Sequence, residues 1–246
     1  MTSPTSGMSG PAPYAPAPMG PPMMMPMETP DTGRIKTGLL IGGIGILINA
    51  FIGFVGFGFI GWLLTFIGVL LVWTGTKSYA QARGMATIGL VLVLVGFVLS
   101  IGTWFITPAL FAIGFVPTQA ELQNILNAWA TALLLQFVAG LLAWVGILLA
   151  PLKLVTGSSK GLVIAGSILG ILGVVLVFGM VYLAVASILS ALSGTAPDLD
   201  ALASQLITAL LGLIIGGLMG LIGGILAGVG YIIGRGKLVP AGAASM

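Results

Sequence analysis

Five stretches of this chain, 38–76, 85–106, 126–150, 161–192 and 201–234, contain no Asp, Glu, Lys or Arg, and the charged residues gather between them. A helix crosses the hydrocarbon core of a bilayer in about 20 residues. The stretch 38–76 is about twice that length at roughly 1.5 Å per residue. One straight span is therefore not expected, and Gly53, Gly56, Gly58 and Gly61 mark a place for the chain to turn. The pattern predicts two short spans, 38–55 and 58–76, folded as a hairpin. A third span is expected over 85–106 and a fourth over 126–150, the latter ending before Pro151. Pro108 and Pro117 bracket a non-spanning stretch, and Thr118 with Glu121 three residues later has the spacing of a capping box.

The last two stretches are too long for the hydrocarbon layer, so spans at 161–182 and 212–232 leave a helical projection over 183–211. Tyr182 and Tyr231 are expected at the membrane boundaries, where aromatic rings with a polar tip concentrate. Asp198 and Asp200, with Thr195 and Pro197, signal the start of the return helix. The fold class predicted is an all-α polytopic bundle of about six transmembrane helices.

Composition agrees with that reading. Hydrophobic residues make up 58% of the chain and charged residues 5%, against about 25% charged in soluble domains. The charges that remain decide orientation. Arg34 and Lys36, Lys77 and Arg83, Lys153 and Lys160, and Arg235 and Lys237 fall in alternate loops, whereas Glu121, Asp198 and Asp200 occupy the others. Basic loops face the cytoplasm, which places both termini on the cytoplasmic side of a multi-pass protein of the cell membrane. The net charge of +3 is split into flanking clusters rather than gathered on one phosphate-binding face, so nucleic acid is not an expected partner.

Residues 1–33 hold nine of the 14 prolines and seven of the 11 methionines. Such a segment has little to bury and is expected to be a disordered, polyproline-like cytoplasmic tail. It lacks the basic start and apolar core of a secretory signal. Thioether binding of Cu(I) by the tail methionines is a weak alternative, because their spacing is irregular. A short tail, 238–246, follows the last span.

Candidate chemistry is sparse. The chain contains neither Cys nor His, which removes the commonest nucleophile, general base and soft metal ligands; no catalytic, cofactor or metal site is expected. The spans lack the buried charges of proton relays and coupled transporters. Membrane-depth polar residues include Asn49, Thr65, Gln136 and Ser167, suited to interhelical hydrogen bonds or to the lining of a neutral pore. The best-defined pattern is Gly212, Gly216, Gly220, Gly224 and Gly228, a small-xxx-small ladder read as a helix-packing stripe. Packing inside the bundle is the simpler role for it, an oligomer interface the other. Gly166, Gly170 and Gly173 are a candidate internal partner.

The first half, with Gly43-Ile44-Gly45-Ile46-Leu47, a glycine-rich break, Ile67-Gly68-Val69-Leu70-Leu71-Val72 and a basic loop from Lys77, resembles small uncharacterised multi-spanning membrane proteins of archaea and some bacteria. The likeness covers about residues 36–105. It implies a prokaryotic origin and transfers no functional residue. From sequence, the leading expectation is a non-enzymatic scaffold or accessory subunit partnered by lipid and by itself or other membrane proteins. A passive channel or small-solute facilitator is the alternative, distinguished by a polar-lined cavity around Asn49, Thr65, Gln136 or Ser167.

Overall fold

A segment inside a bilayer must satisfy its backbone hydrogen bonds internally, and the helix does so within one segment. The computed structural model describes residues 30–52, 58–106, 119–193 and 199–239, and nearly all of them are helical. The helices are α1 (Pro30–Ile52), α2 (Gly58–Gly75), α3 (Ala80–Ile106), α4 (Gln119–Leu149), α5 (Gly157–Ser193) and α6 (Leu199–Gly234), with a 3₁₀ turn at Thr76–Ser78. Each of the six includes a stretch long and apolar enough to cross a membrane. The chain is an all-α, multi-pass membrane protein. Among the described residues the only β pairing is an isolated bridge between Val155 and Leu238.

Each helix packs on its neighbour in sequence, and α6 returns to α1, closing a ring. The tightest joints are glycine to backbone. A Cβ on Gly38 would lie 2.6 Å from the Gly68 carbonyl oxygen and from the Val72 nitrogen, so α1 and α2 touch through main chain. Gly146 meets Gly89 in the same way between α4 and α3. The α2–α3 joint is looser and aromatic: the Phe97 ring stacks on Phe66 at 5.8 Å and on Phe59 at 5.9 Å, and the Trp73 indole donates to the Thr87 hydroxyl at 2.9 Å.

One end of the ring gathers the start of α1, the α2–α3 turn, the α4–α5 loop and the end of α6. The Ser78 hydroxyl donates to the Asp31 carboxylate, the Thr156 amide donates to the Lys237 carbonyl at 3.0 Å, and the Lys237 ammonium donates to the Ser158 hydroxyl at 2.8 Å. All eight Lys and Arg residues of the chain belong to this basic end. From it, α5 and α6 run for 37 and 36 residues, about 55 Å at 1.5 Å per residue, longer than a hydrocarbon core of about 30 Å.

Several boundaries differ from the pattern. α1 begins at Pro30 instead of 38, so the tail's expected limit at residue 33 falls within a helix. Proline suits the first helical position, where its missing N–H is unpaired anyway, and Asp31 complements the helix dipole. α3 likewise begins at 80, before its hydrophobic core, whereas α4 begins at Gln119, where the capping-box spacing of Thr118 and Glu121 predicts a helix start. Tyr231, expected at a membrane boundary, is completely buried among the helices. Residues 1–29, the glycine break at 53–57, Pro108, Pro117 and Thr118, the turn with Thr195, Pro197 and Asp198, and the last residues from Pro240 lie outside the described residues.

Candidate functional site

Toward the basic end the ring is solid. Ile35, Leu39, Val69, Val72, Leu154, Val155 and Tyr231 are buried in one cluster, and the α4–α5 loop is folded into it through Pro151, Leu154 and Val155. The Tyr231 hydroxyl, from α6, donates across the ring to the Ile147 carbonyl of α4 at 2.6 Å. That carbonyl has lost its ordinary helical partner, because the residue four positions on is Pro151, which has no N–H.

Beyond this packed floor the helices part. A partly open cavity of about 340 Å³ is lined by α1, α2, α4, α5 and α6. Three of its walls carry the polar residues singled out from sequence: Asn49, Thr65 and Gln136. Trp62, Trp144 and Phe178 supply much of the apolar lining. The floor is formed by Ile46 and Ile147, which also belong to the buried cluster.

The polar groups are not equivalent. Thr65 donates to the Gly61 carbonyl of its own helix at 2.8 Å. Gln136 is held from α3, its amide nitrogen donating to the Ser100 hydroxyl at 3.3 Å and its carbonyl accepting from the Thr103 hydroxyl at 3.2 Å. Asn49 makes no hydrogen bond among the described residues, so both halves of its amide remain available to the cavity it lines. Ser167 is also unsatisfied: fully buried, with a hydroxyl that meets no partner. It lies on the α5 stripe that continues, at three- and four-residue spacing, to the wall residues Gly170 and Val174. Among the described residues no ionisable side chain lines the cavity, and no cluster of metal-ligating residues occurs.

The glycine ladder is not one stripe. At about 100° per residue, a four-residue step turns by roughly 40°, so four steps from Gly212 to Gly228 sweep roughly 160° around α6. The structure follows that drift. Gly212 and Gly216 face Met180 and Val177 of α5, whereas Gly224 and Gly228 face Ala50 and Leu47 of α1. The α5 contact is carried onward by Gly223, Ala227 and Gly230, which meet Gly166, Gly170 and Val163. Mixed three- and four-residue spacing was the signal for that line. Gly220 sits between the two faces. Gly173 presses on its backbone, yet a Cβ on Gly220 would meet nothing within 4 Å, because that direction opens into the cavity.

Comparison with family models, with curated proteins and with solved structures finds no match to this chain.

Proposed function

We propose that this chain is a non-enzymatic membrane protein that takes small uncharged molecules into the chamber between its helices, a facilitator rather than a scaffold. The observation that carries this reading is the cavity itself: five helices surround it, and two amides, one of them without a partner among the described residues, and a hydroxyl interrupt an otherwise apolar, aromatic wall. Such a lining penalises ions, which would lose hydration without gaining a counter-charge. It suits neutral molecules with an apolar body. The conformation is closed toward the basic end, so passage requires the floor at Tyr231 and Ile147 to part.

Gly220 gives a direct test, because its open Cβ direction lets a side chain enter the chamber without striking a neighbouring helix. Propane-1,2-diol or acetamide flux into proteoliposomes should be faster for the native protein than for empty liposomes. Gly220→Phe should return it to the lipid baseline while leaving thermal stability in detergent within about 1 kcal/mol of native, as expected away from strained core positions. Native flux equal to that of empty liposomes would remove the facilitator reading.

A second reading keeps the scaffold, on the aliphatic outer face of α6 where Leu206, Ile207, Leu210, Leu211 and Leu218 are exposed. Lipid covers such a face equally well. A defined oligomer or a stoichiometric co-purifying subunit in nanodiscs would favour the scaffold. Gly216→Ile is unsuited to that question, because Gly216 is engaged by α5 within the ring.

The basic end is assigned to the cytoplasm on the preference of Lys and Arg for that side. Since the chain has no cysteine, single-cysteine variants report directly. A membrane-impermeant maleimide added outside intact cells should label Asp200→Cys and leave Lys160→Cys unlabelled until the cells are opened; the reverse pattern would invert the topology.

A further inference from the structure

Resting on the chamber reading above, we infer that the occupant is an uncharged amphiphile whose single polar group both donates and accepts a hydrogen bond, an alcohol or a primary amide, and that Asn49 is the residue that recognises it. Of the three polar side chains in the wall, Thr65 and Gln136 are already engaged by the protein. Asn49 alone is left with a donor and an acceptor and no partner among the described residues. An amide at membrane depth with nothing to bond is costly, and an occupant that reciprocates both functions removes the cost.

The remaining walls define the rest of the molecule. Trp62, Trp144, Phe178 and Leu221 offer apolar and aromatic surface. A volume of about 340 Å³ corresponds to roughly eleven waters at about 30 Å³ each, so it holds an occupant of about a dozen non-hydrogen atoms rather than a whole phospholipid. The sealed floor toward the basic end directs the molecule in from the far half of the membrane. A carboxylate or ammonium head finds no counter-charge in the wall, and a pure hydrocarbon leaves Asn49 unsatisfied.

The test uses the chamber tryptophans as reporters. The full-length protein in nanodiscs is titrated with 6-bromohexan-1-ol, with 1-bromohexane, which lacks the hydroxyl, and with 6-bromohexanoate, which carries a charge. Bromine quenches indole emission on contact; probe dissolved in lipid quenches in proportion to its concentration, whereas probe in the chamber quenches saturably. The alcohol is expected to saturate with an apparent affinity roughly three- to tenfold above that of the alkyl bromide, the span that one hydrogen bond supplies, and the carboxylate to show no saturable component. Asn49→Ala and Asn49→Leu should abolish the alcohol's advantage, and Asn49→Gln, which keeps the amide, should retain it. Thermal unfolding of each variant separates loss of recognition from loss of fold. Saturable quenching in which alcohol and alkyl bromide bind equally, or in which Asn49→Ala keeps the preference, would overturn the assignment to Asn49 while leaving the chamber reading intact. No saturable quenching by any probe in the native protein, or saturable quenching that survives Gly220→Phe, would overturn the chamber reading and this assignment together.

Discussion

Gly68→Val will deprive the protein of its α1–α2 joint. Gly68 is fully enclosed by Gly42 and by the Gly38 carbonyl, so the new side chain meets main chain on two turns of α1 and not the movable end of a neighbour. Overpacking costs about 1–3 kcal/mol where side chains can shift. Here the helices themselves must separate, and three further glycines, Gly38, Gly45 and Gly61, share the same backbone contact. A loss of about 3 kcal/mol or more is expected, enough to remove the cooperative thermal transition in detergent from a marginally stable fold. Gly33→Ala and Gly84→Ala provide the control: a Cβ at either position meets nothing within 4 Å, so the better helix former should be neutral or stabilising by up to about 1 kcal/mol. Equal effects at Gly68 and Gly84 would mean that α1 and α2 are not in main-chain contact.

The second large effect is expected at Tyr231. Its ring is wholly buried against Gly42, and its hydroxyl completes the Ile147 carbonyl that Pro151 leaves unpaired. Hydrogen bonds between membrane helices average about 0.6 kcal/mol, since broken partners usually find others. This carbonyl has no alternative donor in its own helix, which moves the expected cost of Tyr231→Phe to about 1–3 kcal/mol. Tyr231→Ala adds a ring-sized void in the floor, for a total of roughly 3–5 kcal/mol. The double variant Tyr231→Phe/Pro151→Ala distinguishes the cause. With an N–H restored at 151, the penalty for removing the hydroxyl should shrink, and unfolding in mild detergent measures the coupling. If Tyr231→Phe costs the same in both backgrounds, the hydroxyl does not serve the proline-orphaned carbonyl. Tyr231→Ala should also open the chamber toward the basic end and raise solute flux in protein that remains folded.

Both effects arise from residues whose environment is hard to read in one dimension. Tyr231 has the composition and place of an interfacial anchor, near the end of the last apolar stretch and four residues before Arg235. Its burial follows from the α4–α5 loop folding inward beneath it, which brings together residues 84 positions apart in the chain. The available signal was Pro151, which strips Ile147 of a partner and requires a donor from elsewhere. The ladder from Gly212 to Gly228 shows a different limit. Its regularity is visible in sequence, but equal spacing of four does not follow a 3.6-residue helix, so its members are divided between α1 and α5.

Hydropathy and charge were enough to establish six membrane-crossing helices, the hairpin within 38–76 and the gathering of every Lys and Arg at one end, because bilayer thickness and the cost of burying charge act on each segment separately. Asn49, Thr65 and Gln136 were recognisable individually for the same reason, as polar groups at a depth where polarity is costly. Whether those groups would pair with each other, with their own helices or with nothing depended on the rotation and separation of five helices, which no single segment encodes. Packing closed the ring at one end and left it open around Asn49, and so turned three scattered polar positions into one chamber.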